Sequence, residues 1–266
     1  MSGNELFLRE DFRILWGSQN PFIAAFALQG ETIRALEQRE TLAFTVAGKR
    51  FFIKRHKGVS WKEILKNLLL LRLPVVSASN EYQAIGKLRE LGIGVPVIAA
   101  YGKRGWWPGT RESFLVTEDV GEHQSLEDHC QDWDSNPPAF RHKLELIERL
   151  AGISRTLHQA GVCHRDYYLC HFLRSAVTGQ LILIDLHRAL VKPQLGQRWI
   201  IKDIAGLYFS AMGARLTRRD LYRFMRHYGN FSLREVLQHK QGFWREAEQK
   251  ALRLFYKAKV NKGKRN

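Results

Sequence analysis

A chain of 266 residues with 45% hydrophobic and 26% charged content is long enough for one large domain or two lobes sharing a cleft. Its 42 Lys+Arg against 26 Asp+Glu leave a net charge of +16 and a pI near 10.0, which implies an anionic partner: nucleic acid, an acidic protein or an anionic lipid surface. Three cysteines (Cys130, Cys163, Cys170) without a CxxC pair exclude a metal finger, and the most apolar run, residues 64–73, is broken by Lys66, Asn67 and Arg72, far short of the roughly 20 residues that span a bilayer. The N-terminus lacks the uninterrupted apolar core of a secretory signal, so a soluble chain with reduced thiols in a cytoplasm is expected.

In chain order, residues 41–47 and 50–55 are β-rich runs joined across Gly48, which predicts a hairpin. Residues 77–91 predict a helix stopped by Gly92, with Glu81, Ile85 and Leu88 on one face. Residues 95–101 and 113–120 predict two further strands, separated by the turn-rich KRGWWPGTRE. After Val120 the character changes. Residues 124–131, 139–160 and the segments from 203 onward predict helices, with LILID (181–185) as one short strand. In helix 139–160 the residues Phe140, Leu144, Ile147, Leu150 and Leu157 follow the 3.6-residue period, and Gly161 ends it. The expected fold is α+β: a two-lobed, protein-kinase-like arrangement with a β-rich N-lobe (1–118, including an N-terminal extension) holding one main helix, and a mostly helical C-lobe (119–266) with a basic tail.

Phosphoryl transfer from ATP needs positive charge on the phosphates, carboxylates for Mg²⁺, and a carboxylate aimed at the attacking hydroxyl. Lys54 in RFFIKR alternates with Phe52 and suits the phosphate role. Glu81 on the next helix suits its partner. Asp166 follows a long helix and a Gly turn in LHQAGVCHRD, as a catalytic-loop Asp does. Asp185 ends the following strand as a metal ligand would, and Asp203 in KDIAGL opens a helix where kinases keep an Asp that ties down the catalytic loop. Singly, each has a bland alternative: a strand Lys is usually a solvated edge residue, a helix Glu a surface charge, a strand-end Asp a turn former. Five in the right order and element type favour the kinase.

The stretches LREDF, NPF, FFIKRH, SNEYQAI, LVTEDV, HRDYYLCHFL, LILIDLHRA and KDIAGLYFSA give the chain a resemblance, nearly end to end, to the lipopolysaccharide core heptose(I) kinase family of Gram-negative bacteria. That resemblance implies ATP- and Mg²⁺-dependent phosphorylation of the first heptose of the inner core, on a glycolipid at the cytoplasmic face of the inner membrane. On it, Asp166 would be the catalytic carboxylate, Lys54 the phosphate Lys, Glu81 its partner and Asp185 the Mg²⁺ ligand.

Departures from protein kinases carry information too. No GxGxxG loop is present; residues 36–41 stand in its place, and Gln38, Arg39 or Thr41 are candidates to cover the phosphates instead, with Arg39 equally a solvated turn charge. Glu118, in the strand 113–120, is counted with the nucleotide-binding candidates. Tyr168 stands where a Ser/Thr kinase carries Lys, and Tyr167 and Tyr168 read as packing residues. Asp185 and Asp203 lie eighteen positions apart without an APE motif, which leaves little room for a peptide-docking activation loop. Arg188 in IDLHR suits ATP phosphate, an acceptor anion or a structural salt bridge. His171 stands where kinases have Asn; it could bind a second metal weakly, hold a metal-bound water, or hydrogen-bond Asp166, since Mg²⁺ prefers oxygen. His164 reads as structural, Arg165 as a partner for nearby carboxylates, and Cys163 and Cys170 as small buried hydrophobes.

The positive charge suits an inner-core acceptor bearing carboxylates and phosphates, and peripheral contact with an anionic membrane surface. Two stretches could carry that contact: KRGWWPGTR, and the basic, apolar 57–74. The bland alternatives are a strand-turn packing cluster and a buried lobe helix. A small acidic protein partner is also compatible. No RRM, KH or zinc-finger signature points to nucleic acid. The rival readings are another small-molecule or protein kinase of the same fold, and a basic non-catalytic pseudokinase scaffold.

Overall fold

The computed structural model describes residues 4–36, 39–58, 77–107, 110–230, 232, 234, 235, 238 and 241–263. Gln38 and nearly all of the stretch 57–74 therefore lie outside the described residues. The chain forms two compact units: a sheet unit of Met1–Arg89, Val95–Gly121 and Asp185–Arg188, and a helical unit of Glu90–Gly94, Glu122–Ile184 and Ala189–Asn266. Set beside the expected boundary at 118/119, Glu90–Gly94 belongs to the helical unit and Asp185–Arg188 to the sheet unit.

The sheet unit is built on six antiparallel strands: β1 (Glu5–Leu8), β2 (Glu31–Leu36), β3 (Arg39–Val46), β4 (Lys49–Lys57), β5 (Ile98–Arg104) and β6 (Glu112–Glu118), in the order β1-β5-β6-β4-β3-β2. The expected hairpin joins β3 to β4 through Ala47 and Gly48, both at positive φ (48° and 75°), the two-residue turn whose twist matches a right-handed strand pair. Along β4, Phe51, Ile53 and Arg55 are buried on one face, while Phe52 and Lys54 stand on the other. That alternation lets one strand serve a core and a site at once.

Two helices absent from the expected layout, α1 (Glu10–Trp16) and α2 (Pro21–Ala27), cover the Phe51 face. Each has only seven residues and would be marginal alone. They are held by tertiary packing: Phe12, Trp16 and Phe22 join Phe44, Phe51 and Phe114 in one core, each large buried side chain contributing roughly 1.5–3 kcal/mol. The Asn20 side chain caps α2 by accepting from the Phe22 N–H, with Pro21 in the first turn. The third helix, α3 (Ser79–Glu90), is the one predicted from 77–91, and Glu81, Ile85 and Leu88 are all buried on it.

In the helical unit, β7 (His123–Ser125) precedes the short α4 (Leu126–His129), where a single helix over 124–131 was expected. The Ser125 Oγ accepts from the Asp128 N–H, which starts the helix late and leaves the preceding residues to pair with β9 (Phe172–Ser175). Helix α5 (Phe140–Gln159) buries Ile147, Leu150 and Leu157 as expected, but Phe140 is 62% exposed at its first position, under the Arg223 guanidinium. Gly161 follows at φ 79°, where a Cβ would lie 1.7 Å from the Lys192 carbonyl oxygen; only glycine lets the chain turn there into β8 (Val162–Cys163), paired with β11 (Leu190–Val191). The LILID strand is shorter than expected: β10 (Leu181–Leu183) stops before Asp185. Helices α6 (Gln197–Ala211), α7 (Arg218–Gly229) and α8 (Gln241–Gly263) complete the unit, with Ile201, Ile204 and Ala247 buried against Phe224, Tyr228 and Trp244. Among the described residues, no helix is long and apolar enough to cross a membrane.

Candidate active site

In the sheet unit, the β4 alternation turns Lys54 away from the aromatic core and towards α3. Its Nζ donates to Glu81 Oε1 at 2.6 Å, with Glu81 almost fully buried. Burial by itself would discharge the lysine, but the attraction of Glu81 and of Asp185 outweighs it and holds the ammonium above its ordinary pKa. Lys54 therefore stays charged at any physiological pH. Cross-strand partners share a face, so the register places Thr41 beside Lys54, Arg34 beside Thr41 and Arg39 beside His56. Arg34, Arg39 and Lys54 thus set a cationic face where a glycine-rich loop is missing. Arg34 and His56 were not foreseen; their only signal is the strand register. His56 is buried, and burial, followed by the charges of Arg39, Lys54 and His187, pushes its pKa down to about 3, so it is neutral.

Asp185 stands beyond the strand at φ 61°, an uncommon left-handed conformation for a non-glycine residue. Its Oδ1 accepts from His187 Nδ1, in the 3₁₀ turn Leu186–Arg188 that also carries the half-buried Arg188. His187 was read in sequence only as part of IDLHR. An ionised carboxylate only accepts, so this bond places the proton on Nδ1. Glu118, at the end of β6, has its carboxylate 2.8 Å from Arg9 and its N–H on the Val97 carbonyl, so both groups are engaged within the sheet unit.

The helical unit holds the HRDYYLCH loop, and its fixed point is Asp203 on α6. This fully buried carboxylate accepts the backbone N–H groups of His164 (2.7 Å) and Arg165 (2.8 Å) and lies 3.4 Å from His158 Nε2. The expected tie-down is thus present. It holds Arg165 at φ 73°, with the guanidinium 5.5 Å over the Trp199 ring. The half-buried Asp166 follows, its carbonyl accepting from the Tyr168 N–H (3.1 Å) and from His171 Nδ1 (2.6 Å). Of the roles considered for His171, the hydrogen bond to Asp166 is present, made to its backbone. Because a carbonyl only accepts, Nδ1 carries the proton in this bond.

The two histidines also grip the strand that leads to Asp185. His164 Nε2 donates to the Ile184 carbonyl (2.9 Å), the Ile184 N–H donates to the His171 carbonyl (3.0 Å), and the two rings stack 5.5 Å apart. Tyr167 is buried and bonded to Ser154 at 2.9 Å, while Tyr168 packs edge-on to Phe209; both are packing residues. Cys163 is buried and Cys170 half-buried, neither joined in a disulfide, and burial raises the Cys163 pKa.

The structure therefore brings together Lys54, Glu81 and Asp185 in the sheet unit, and Asp166 and His171 in the helical unit. The donor set suits Mg²⁺. Asp185 offers a hard, partly exposed carboxylate, and no group of three or more His, Cys, Asp or Glu able to hold a metal is found among the described residues. An ion bound through one or two carboxylates, with phosphate oxygens and waters as its other ligands, needs no such cage.

The model of the lipopolysaccharide kinase (Kdo/WaaP) family matches residues 24–228. Proteins from Escherichia coli and Pseudomonas aeruginosa named lipopolysaccharide core heptose(I) kinase WaaP are 46% identical over 253 residues and 45% identical over 256 residues, covering 93% and 94% of this chain and 96% of each relative. A solved structure described as WaaP in complex with acyl carrier protein matches with a TM-score of 0.82 at 40% identity, covering 94% of this chain and 99% of that one. With the ion pair of Lys54 and Glu81 and the Asp203-anchored HRD loop in place, with the family model matching residues 24–228 and the named relatives matching more than nine tenths of its length, the chain belongs to the lipopolysaccharide kinase (Kdo/WaaP) family.

Proposed function

We propose that the chain transfers a phosphoryl group from ATP to the first heptose of the lipopolysaccharide inner core. The observation that carries the acceptor is the identity of 44–46% to relatives of that name. In this reading Lys54, kept charged by Glu81, takes the donor's phosphate oxygens, and Arg34 and Arg39 add positive charge on the same face of the sheet. Asp185 would hold Mg²⁺, which when bound neutralises charge on the phosphoryl group being transferred. Asp166 orients the sugar hydroxyl and accepts its proton, its backbone fixed by His171 and by Asp203 through Arg165.

The test is transfer of labelled phosphate from ATP·Mg²⁺ to dephosphorylated inner-core glycolipid, with an aminoglycoside and a generic protein alongside. Labelled glycolipid is expected, with Asp166→Asn reducing transfer by about 10²–10⁴-fold. Label on protein alone would overturn the acceptor, and an unaffected Asp166→Asn the mechanism.

We also infer an acyl carrier protein as partner. The solved structure named above contains one, and a charge of +16 is complementary to a small acidic protein. The helical unit holds a mostly apolar cavity of about 520 Å³, lined by Leu146, Leu150, Ile204, Leu207, Phe224 and Trp244, with the chemistry to accept a fatty-acyl chain.

A further inference from the structure

We propose that Trp106 and Trp107, which follow β5, dock the sheet unit onto an anionic bilayer. Trp106 is 68% exposed and Trp107 63% exposed, although tryptophan carries the largest apolar surface of any side chain and is rarely left in water without a use. The backbone of both tryptophans is tied: the Arg111 guanidinium donates to the Trp106 carbonyl (3.0 Å), and the Thr110 N–H donates to the Trp107 carbonyl (3.1 Å). The indoles are thus presented by a held backbone.

Helix α2 lies at the same end of the sheet. Arg104 sits over the Phe22 ring at 4.5 Å and Lys57 over Phe26 at 5.5 Å, and the helix exposes Ile23 at 65%. Around the turn, Lys57, Lys103, Arg104 and Arg111 outnumber Glu5 and Glu112, the carboxylates that Lys103 and Arg104 meet. Amphipathic indoles bracketed by long cationic side chains match a headgroup layer: the rings settle at the interface while the Lys and Arg heads reach lipid phosphates. Charge complementarity selects an anionic bilayer over a neutral one, and over an apolar protein groove, which would offer nothing to the surplus of cations over carboxylates.

The purpose of such contact rests on the glycolipid-kinase reading, since a lipid-anchored acceptor is met at a membrane. The contact itself can be read without any activity. The experiment is sedimentation of the full chain with vesicles containing phosphatidylglycerol and with vesicles of phosphatidylcholine alone, for the wild type and the Trp106→Ala/Trp107→Ala double variant. The wild type is expected to bind the anionic vesicles, less at high salt, and the variant to bind them at least about tenfold more weakly. Phosphate transfer to a delipidated, water-soluble core oligosaccharide should be unchanged by the double substitution. Equal binding by both proteins, or no binding of the wild type to anionic vesicles, would overturn the proposal. So would loss of transfer to the soluble oligosaccharide with vesicle binding intact, which would make the indoles a platform for the sugar. Failure of the heptose reading would show as absent transfer to any glycan and would leave the vesicle result readable.

Discussion

His171 and His187 stand near the two carboxylates proposed for the chemistry, Asp166 and Asp185, but act on different atoms. His171 donates to the backbone carbonyl of Asp166, whereas His187 donates to the side chain of Asp185. Under the proposed roles, Asp185→Ala removes the Mg²⁺ oxygen itself and should lower turnover by about 10³-fold or more. His187→Ala leaves that oxygen but frees its orientation, a loss of about 10–100-fold that should appear as a raised Mg²⁺ requirement. His187→Asn, whose amide can still donate, should recover part of it. His171→Ala should impair Mg²⁺ use less than Asp185→Ala and act mainly on turnover, because it loosens the loop rather than the metal. Mg²⁺ titrations of kcat for the four variants separate these outcomes. Equal loss of Mg²⁺-dependent activity in His171→Ala and Asp185→Ala would show that the imidazole is itself a ligand.

At the scale of elements, the HRDYYLCH loop is positioned by α6 through one buried side chain. Asp203 accepts two backbone N–H groups of the loop and is itself fully buried. Asp203→Ala would strand both donors and cost about 3 kcal/mol or more, visible as a lower urea midpoint with an unchanged slope; an unchanged midpoint would show that the loop holds its shape without α6. The HRD loop was legible in the sequence because a run such as LHQAGVCHRD carries its chemistry contiguously, and Lys54 was legible because strands alternate. The long periodic helices α3 and α5 were legible for the same reason, with Phe140 as the exception: at the first position of α5 it has no preceding turn to pack against. Other features depend on partners far along the chain. Strand β1 pairs with β5, Leu8 opposite Ala100, and no local pattern announces such a partner. Helices α1 and α2 make barely two turns each, one stopped at Gly17 and the other opened by Pro21, too short for a 3.6-residue period to show. Arg34 and His56 reach the Lys54 face only through the register of β2, β3 and β4.

At the scale of the whole molecule, a chain at +16 already repels itself, and acid adds to that charge. Where stability is lost first follows from which groups the fold holds away from their ordinary pKa. His56 is held down to about 3 from 6.5, so between those values the unfolded chain binds a proton that the folded chain refuses. Its contribution is therefore complete above pH 6.5 and drains away as pH falls towards 3, at up to about 1.4 kcal/mol per pH unit. Asp220, bonded to Lys143 and to the Thr217 cap, and the surface carboxylates Glu5 and Asp11 are all held below their ordinary values. Their contributions are complete above about pH 4.5 and are lost only below it. The expected profile therefore has two stages. From pH 7 to 5 the loss is about 2 kcal/mol and belongs largely to His56; below about 4.5 the carboxylates join it and the slope steepens. Urea midpoints at pH 7, 5.5, 5 and 4 would trace both stages. His56→Gln, which cannot take up the proton, should flatten the first stage and leave the second in place. If His56→Gln and the wild type lost stability in parallel between pH 7 and 5, the early acid sensitivity would belong to the overall positive charge instead, and added salt would then relieve it.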